Sequence, residues 1–498
     1  MGMGTHTAMG LLCLGCVAPS SVFDGGPHSE PPNIIFILAD DLGAMDLGCT
    51  GSTFYETPRL DALAAAGMRF TQSYSSSPNC APTRAAIQTG LYGPRTGVYT
   101  VQKSARGKAE NRKLVPPANE EHLARRFVTL AEHLRAQNYR TAHIGKWHLG
   151  DAPSDTSPER HGYDLNIAGA AIGHPKGYFF PYGREMPGLD QGEVGEYLTD
   201  RLTDEALEFI RENRKRPFFL QLAYYSVHTP IEPKRELVER FLDKPADGGQ
   251  KNPEFAAMVA SLDENVGRVL DELARLGLDG RTVVVFTSDN GGVGGYERAG
   301  VRGMREITDN APLRGGKGML YEGGVRVPLI VRYPELVQAG TLCDVPTTSV
   351  DFLPAFCELA NAPIGPGVFC DGQSFVPLLR GERPERLAER EVYWHFPGYL
   401  QAEKDGRTWR TTPAAAIRRG SWKWIEFYED GEGALYDLAS DVGEEHDLSQ
   451  DQERIASILR RRLRSWQRRV DAPFPTRNAA WEFALGGGQV VAPVQASH

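Results

Sequence analysis

Several polar residues stand where short apolar runs break off, and their types are those a working site needs. Asp40-Asp41 closes the run Asn33-Ile-Ile-Phe-Ile-Leu-Ala39, and Asp289-Asn290 closes Arg281-Thr-Val-Val-Val-Phe-Thr287 one serine later. These side chains offer only oxygen ligands, which suits a hard Ca²⁺ or Mg²⁺ ion; a zinc site would be expected to include imidazole or thiolate. One Asp-Asp after one strand would be a cap or a turn. Two acidic sites ending two strands of one sheet point to a metal. Lys146 and His148 in Gly145-Lys-Trp-His148, His228 in Ser-Val-His228-Thr-Pro230, and Lys317 in a Gly-rich loop add positive charge and groups able to move protons. Cys80-Ala-Pro-Thr-Arg84 lies in a Pro-punctuated loop that runs into a helix. Alone, that cysteine would read as a packed thiol or half of a disulfide.

For these groups to meet, the elements carrying them must share an edge. The run 33–39 is continuously apolar and rich in branched residues, as expected of a central parallel strand covered on both faces. Shorter strands are expected at 139–144, ending at Lys146 and His148, at 217–225, ending at His228, at 281–287 and at 329–333. Helical patterns lie between them: one opened by Thr57-Pro58 and ended by Gly67, then 123–137, 197–213 and 254–276. Strands alternating with helices predict an α/β fold, a large doubly wound, mostly parallel sheet flanked by helices. Ligands of such sheets bind beyond the carboxyl ends of the strands, where four of these strands deliver their polar residues. Near 380–390 the alternation stops. Strands at 391–394, 414–418, 422–428 and 434–437 predict a smaller antiparallel sheet. A helix at 451–470, with Ile455, Ile458, Leu459, Leu463 and Trp466 on one face, is expected to pack on it rather than on a membrane.

In chain order, Ile-Leu-Ala-Asp-Asp-Leu-Gly, Cys-Ala-Pro-Thr-Arg, Gly-Lys-Trp-His-Leu-Gly, His-Thr-Pro, Ser-Asp-Asn-Gly-Gly and Leu-Arg-Gly-Gly-Lys together resemble the type I sulfatases. These are formylglycine-dependent enzymes of the alkaline-phosphatase-like superfamily. The motifs cover about 33–330, and Ala434-Leu-Tyr-Asp437 with its sequel resembles the family's small C-terminal domain. The resemblance implies that Cys80 is oxidised to formylglycine by a separate maturation enzyme. It implies that Asp40, Asp41, Asp289 and Asn290, with an oxygen of modified residue 80, hold Ca²⁺ rather than Mg²⁺. The hydrated aldehyde would attack the sulfur of a sulfate ester, and its second hydroxyl would then release sulfate. Lys146 and Lys317 would offset charge on the sulfuryl oxygens, Arg84 would hold the hydrate, His228 would give a proton to the leaving oxygen and His148 would act as base in the release step.

The chain's 498 residues allow more than one domain, and the expected organisation is a signal peptide and spacer at 1–32, a catalytic domain at 33–385 and an α+β subdomain at 386–498. A net charge of −9, from 55 basic and 64 acidic residues, argues against a nucleic-acid partner and requires a locally basic pocket for an anionic substrate. The apolar stretch 8–18 is too short to span a bilayer and suits an export signal, so a periplasmic or extracellular location is expected, with lipidation of Cys16 as a variant. Cys49, Cys343, Cys357 and Cys370 can pair in three ways or stay free. The expected substrate is a sulfated carbohydrate, with Arg298, Arg302 and Arg305 and the 169–190 stretch (His174, Lys176, Tyr178) as candidates for the pocket mouth. The alternatives are a phosphomonoester or phosphonate ester hydrolase on the same scaffold, or a non-catalytic sulfated-glycan binding protein.

Overall fold

Beyond Met1, the computed structural model describes residues 31–401 and 408–484. The leader with Cys13 and Cys16 thus lies outside the described residues. Eight strands form the main sheet: β1 Asn33–Ala39, β2 Met68–Phe70, β3 Arg140–Gly145, β4 Leu165–Ile167, β5 Phe218–Ala223, β6 Thr282–Ser288, β7 Leu329–Arg332 and β8 Thr341–Cys343. Their spatial order is β8-β2-β7-β6-β1-β5-β3-β4. All neighbours run parallel except β7, which is antiparallel to both β2 and β6.

Strand β1 explains the layering. Every residue in it is buried, and the two-residue period sends alternate side chains into different cores. Ile35, Ile37 and Ala39 pack with helices α4 (Leu198–Asn213) and α5 (Pro253–Arg275). Ile34, Phe36 and Leu38 pack on the opposite face with α2 (Cys80–Thr89), α3 (Leu130–Arg135) and α6 (Phe352–Leu359). Helix α1 (Pro58–Ala65) packs beside α5. The amide of Leu60 and that of Arg59 donate to the buried Asp263 carboxylate, which joins the two helices. Asn252 caps α5 by accepting from the amides of Glu254 and Phe255, a contact generally worth about 1 kcal/mol.

One expected helix is shorter than its apolar pattern. The 123–137 stretch is helical only over Leu130–Arg135, because Thr129 and Glu132 form a reciprocal cap there. The amide of Leu123 instead donates to Leu149, tying the preceding segment to the His148 loop. The second sheet is antiparallel, in the order β9 (Glu391–Phe396), β10 (Ala414–Arg419), β11 (Trp422–Phe427) and β12 (Gly433–Asp437). Helix α7 (Glu453–Arg469) lays Leu459, Leu463 and Trp466 on it, and Trp466 stacks on Tyr393 at 4.6 Å. Lys423 of β11 is fully buried between Glu322 and Glu444, each at 2.9 Å. The five described cysteines, Cys49, Cys80, Cys343, Cys357 and Cys370, are free thiols. Among the described residues no helix is long and apolar enough to cross a membrane.

Candidate active site

The carboxyl ends of β1, β3, β5 and β6 converge, and Asp40, Asp41, Lys146, His148, His228, Asp289 and Asn290 meet at that edge. Asp41 and His148 both have positive φ, 63° and 61°, a sparsely populated conformation for residues other than glycine. Such turns re-aim the chain at the strand ends, and surrounding contacts hold them there. The amide of Asp41 donates to Asp289 Oδ1 at 3.3 Å, and that of His148 donates to Ala170.

Three carboxylates and two lysines form the buried part of the site. Asp40 Oδ2 accepts from Lys146 Nζ at 2.7 Å, and Asp41 Oδ2 accepts from Lys317 Nζ at 2.7 Å. Arg84 reaches Asp289 through Nε at 2.8 Å and donates from Nη1 to the carbonyl of Lys146 at 2.6 Å. Burial raises Asp40 to about 8 against the opposing pull of Lys146, with Asp289 and Asp41 adding repulsion. Asp41 is equally buried, yet the charge and hydrogen bond of Lys317, with Lys146 adding, hold it well below the usual carboxylate range. Lys317 is correspondingly kept charged by Asp41.

The donor set fits a hard cation. Asp40 Oδ1 and Asn290 Oδ1 are buried oxygens with no hydrogen-bond partner, while Asn290 Nδ2 is spent on Asp41 Oδ1 at 2.8 Å. Orphaned buried acceptors are costly unless something binds them. Ligand atoms of Asp40, Cys80 and Asp289 lie within 4.8 Å of one another. Those of Asp40, Asp41 and His228 do so as well, so one imidazole and the position-80 sulfur stand beside the oxygens of the set.

Cys80 is the first residue of α2, a helix buried along its whole length, and is 2 % exposed. Burial raises its thiol, with Lys146 and Lys317 opposing. A cavity of about 570 Å³ opens over the edge and is lined by Cys80, Asp41, His148, His228 and Lys317. Lys146 and Asp40 do not line it. The two lysines, equivalent from their motifs, are therefore inequivalent in space: Lys146 sits behind the carboxylates and Lys317 faces the cavity.

Both histidines are shifted toward the neutral form in this geometry. Burial, then the charges of Lys146 and Arg84, push His148 well below its ordinary value; burial and Lys317 do the same to His228. His228 Nδ1 lies 2.7 Å from the carbonyl of Thr229, which assigns its hydrogen to that nitrogen and leaves a lone pair on Nε2, 3.5 Å from Asp41. Proton donation from Nε2 thus requires the imidazolium. His174 stacks on His228 at 5.6 Å, and the Tyr178 hydroxyl is 2.7 Å from the carbonyls of Tyr225 and His228, so part of the 169–190 stretch shapes the site. Arg302, Arg305 and Lys176 do not line the cavity, and Arg298 is paired with Asp309 instead. The motif reading missed Arg106 and Arg410, which do line it, as does Arg184 from the 169–190 stretch. Arg106 and Arg410 stand some three hundred positions apart, and neither sits in a motif.

This fold and edge define a metal-assisted ester hydrolase of the sulfatase type, and residues 32–362 match the Sulfatase family while 316–469 match the C-terminal region of N-sulphoglucosamine sulphohydrolase. The chain belongs to the sulfatase family. It is 32% identical over 521 residues to a sulfatase of Formosa agariphila, covering 89% of this chain and 90% of that one. It is 33% identical to mouse steryl-sulfatase, over 81% of this chain and 72% of the relative. The crystal structure of Ps i-CgsB in complex with a neocarrahexaose superposes with a TM-score of 0.71 at 28% identity, over 92% of this chain and 98% of the other. The enzyme is a sulfatase.

Proposed function

We propose that the substrate is a sulfated glycan, cleaved at the sulfate ester through a formylglycine hydrate at position 80. The observation that carries this reading is that Cys80 lines a cavity of mixed polar and apolar character together with Lys317 and Asp41. Asn79, Thr100, Gln102 and His122 share that wall with Val101, Ile172, Val293 and Leu400, a lining that offers partners for sugar hydroxyls beside apolar surface for a sugar face. Ps i-CgsB, of similar fold, is seen in complex with k-i-k-neocarrahexaose, which agrees with this reading.

Oxidised by a maturation enzyme and hydrated, position 80 would supply the attacking hydroxyl. Asp40, Asp41, Asp289 and Asn290 would hold Ca²⁺, which supplies charge neutralisation at the sulfuryl oxygens. The chain's own residues do the rest. Lys146 keeps Asp40 compensated from behind. Lys317 faces the cavity and opposes the negative charge of the sulfuryl group. Arg84 ties Asp289 to the Lys146 backbone and so fixes the metal side of the edge. His228, its ring bonded to the Thr229 carbonyl, would protonate the leaving oxygen once it carries a second proton, and His148 would act as the base for release. The test is turnover of calcium-loaded, matured protein on sulfated monosaccharides and oligosaccharides beside aryl sulfate and aryl phosphate. Faster hydrolysis of the phosphate would favour the phosphoester alternative, and activity confined to aryl sulfate would remove the glycan assignment.

A further inference from the structure

Three arginines face the cavity with no carboxylate to neutralise them. Arg106, Arg184 and Arg410 line it, and among the described residues none forms an ion pair, although Glu121 lines the same wall. Elsewhere the buried Arg84 and Arg390 pair with Asp289 and Asp351, while the buried Arg112 and Arg418 spend their guanidinium groups on backbone carbonyls and on Tyr74 and Gln72. With 64 acidic residues against 55 basic ones, unpaired guanidinium groups gathered in one cavity call for an explanation.

Two of the three are built in. Arg106 is half-buried and donates from Nη2 to the carbonyl of Val101. Arg410 comes from the strand Trp409–Thr411, with its guanidinium 5.8 Å from the ring centre of Tyr296 and Nη1 3.5 Å from that hydroxyl. Its Nε is buried and has no partner. Gly318, next to Lys317, makes the room: a β-carbon there would stand 2.9 Å from Arg410 Nε. The two guanidinium groups feel each other, since burial and then Arg410 lower the pKa of Arg106. Position 80 and both arginines line the same cavity. Like charges held close without a counterion are what an anion site looks like before its anion arrives.

We infer that Arg106 and Arg410 form a second anion subsite, which takes a negatively charged group on the sugar unit adjoining the one whose sulfate ester sits at position 80. This rests on the glycan reading above, and it narrows the substrate to one carrying at least two anionic groups. A second sulfate and a uronate carboxylate share the required chemistry; both accept paired hydrogen bonds from guanidinium.

Binding reads the subsite apart from turnover. Calcium-loaded full-length Cys80→Ala protein is titrated calorimetrically with three disaccharides of one backbone: monosulfated, disulfated on adjoining units, and monosulfated with an adjoining uronate. The expected result is binding of one or both dianionic sugars roughly ten- to a hundred-fold tighter than the monosulfated one, the range of one or two charge-assisted hydrogen bonds. Which arm gains identifies the anion. Arg106→Gln/Arg410→Gln in the same background should erase most of that ratio, and the ratio is read within one protein, so a general loss of affinity does not imitate it. Equal affinities for all three sugars in the unsubstituted subsite, or an unchanged ratio in the double variant, would overturn the inference. Absence of sulfate release by matured protein, with the binding preference intact, would instead remove the hydrolytic reading and leave the subsite standing.

Discussion

Replacing Lys317 by alanine separates its role from that of Lys146 more sharply than any other single change. Its Nζ is 2.7 Å from Asp41 Oδ2, its side chain is 11 % exposed, and it faces the cavity that Lys146 does not reach. A unit charge about 4 Å away contributes roughly 4 kcal/mol at an effective dielectric of about 20. Loss of one such group from a charge-stabilising site commonly costs about 10²–10³ in turnover. Lys317→Ala is therefore expected to lower kcat/KM on aryl sulfate by that factor. A second effect accompanies it, because Asp41 loses its ammonium partner and keeps the Asn290 amide as a side-chain donor, beside His228 and the Asp40 carboxylate. Breaking a buried pair from one side costs about 3–5 kcal/mol, reduced here by the partial exposure of Lys317 and by bound calcium. Steady-state kinetics with saturating calcium, beside thermal melts with and without calcium, separate the two effects. A loss of less than about tenfold in kcat/KM, with calcium bound and the fold intact, would refute the reasoning.

Other residues give independent readouts. Asn290→Leu removes an orphaned oxygen and the amide that holds Asp41, so calcium affinity by calorimetry should fall by about tenfold or more; unchanged affinity would exclude Asn290 as a ligand. Gly173→Ala would place a β-carbon 2.7 Å from His148 Cε1, so kcat should fall by roughly ten- to a hundred-fold while the melting temperature stays close to that of the parent. His395, which does not line the cavity, is lowered from 6.5 to about 4 by burial and bonded to Tyr428 and Pro473. A lowered histidine pKa means that the unfolded chain takes up the proton first as pH drops. Its stabilising contribution is complete above pH 6.5 and is lost as pH falls towards about 4, by roughly 3 kcal/mol in all. His395→Asn should flatten the chemical-denaturation profile over that window, and an unaltered slope would count against it.

The parts of the molecule that were readable beforehand are those whose physics is local. Strands β1, β5 and β6 are covered on both faces and announce themselves as unbroken apolar runs, with the ionisable residues right after them. Strands β2, β4 and β8 have three residues each, too few to display any period, and they pair only because the long strands give them an edge. The helix expected at 123–137 shrank to six residues because capping at Thr129 outweighed the apolar pattern upstream. Motif residues of the site were visible as types and spacings, but depth was not: nothing in Gly145-Lys146 or Gly316-Lys317 says which lysine faces the cavity. Arg298 was a reasonable choice for the pocket mouth from its Arg-rich segment, yet Asp309 captures it. Arg106 and Arg410 carry no motif at all, and only tertiary structure sets them against one another.

The central claim is that position 80 works as formylglycine and not as a thiol. Mass spectrometry of the peptide spanning Cys80, on preparations made with and without the maturation enzyme, gives the converted fraction directly, and sulfate release is measured on the same samples. Sulfatase activity is expected to scale with the converted fraction and to be absent from Cys80→Ala. Full activity from protein in which residue 80 remains an unmodified thiol would contradict the account.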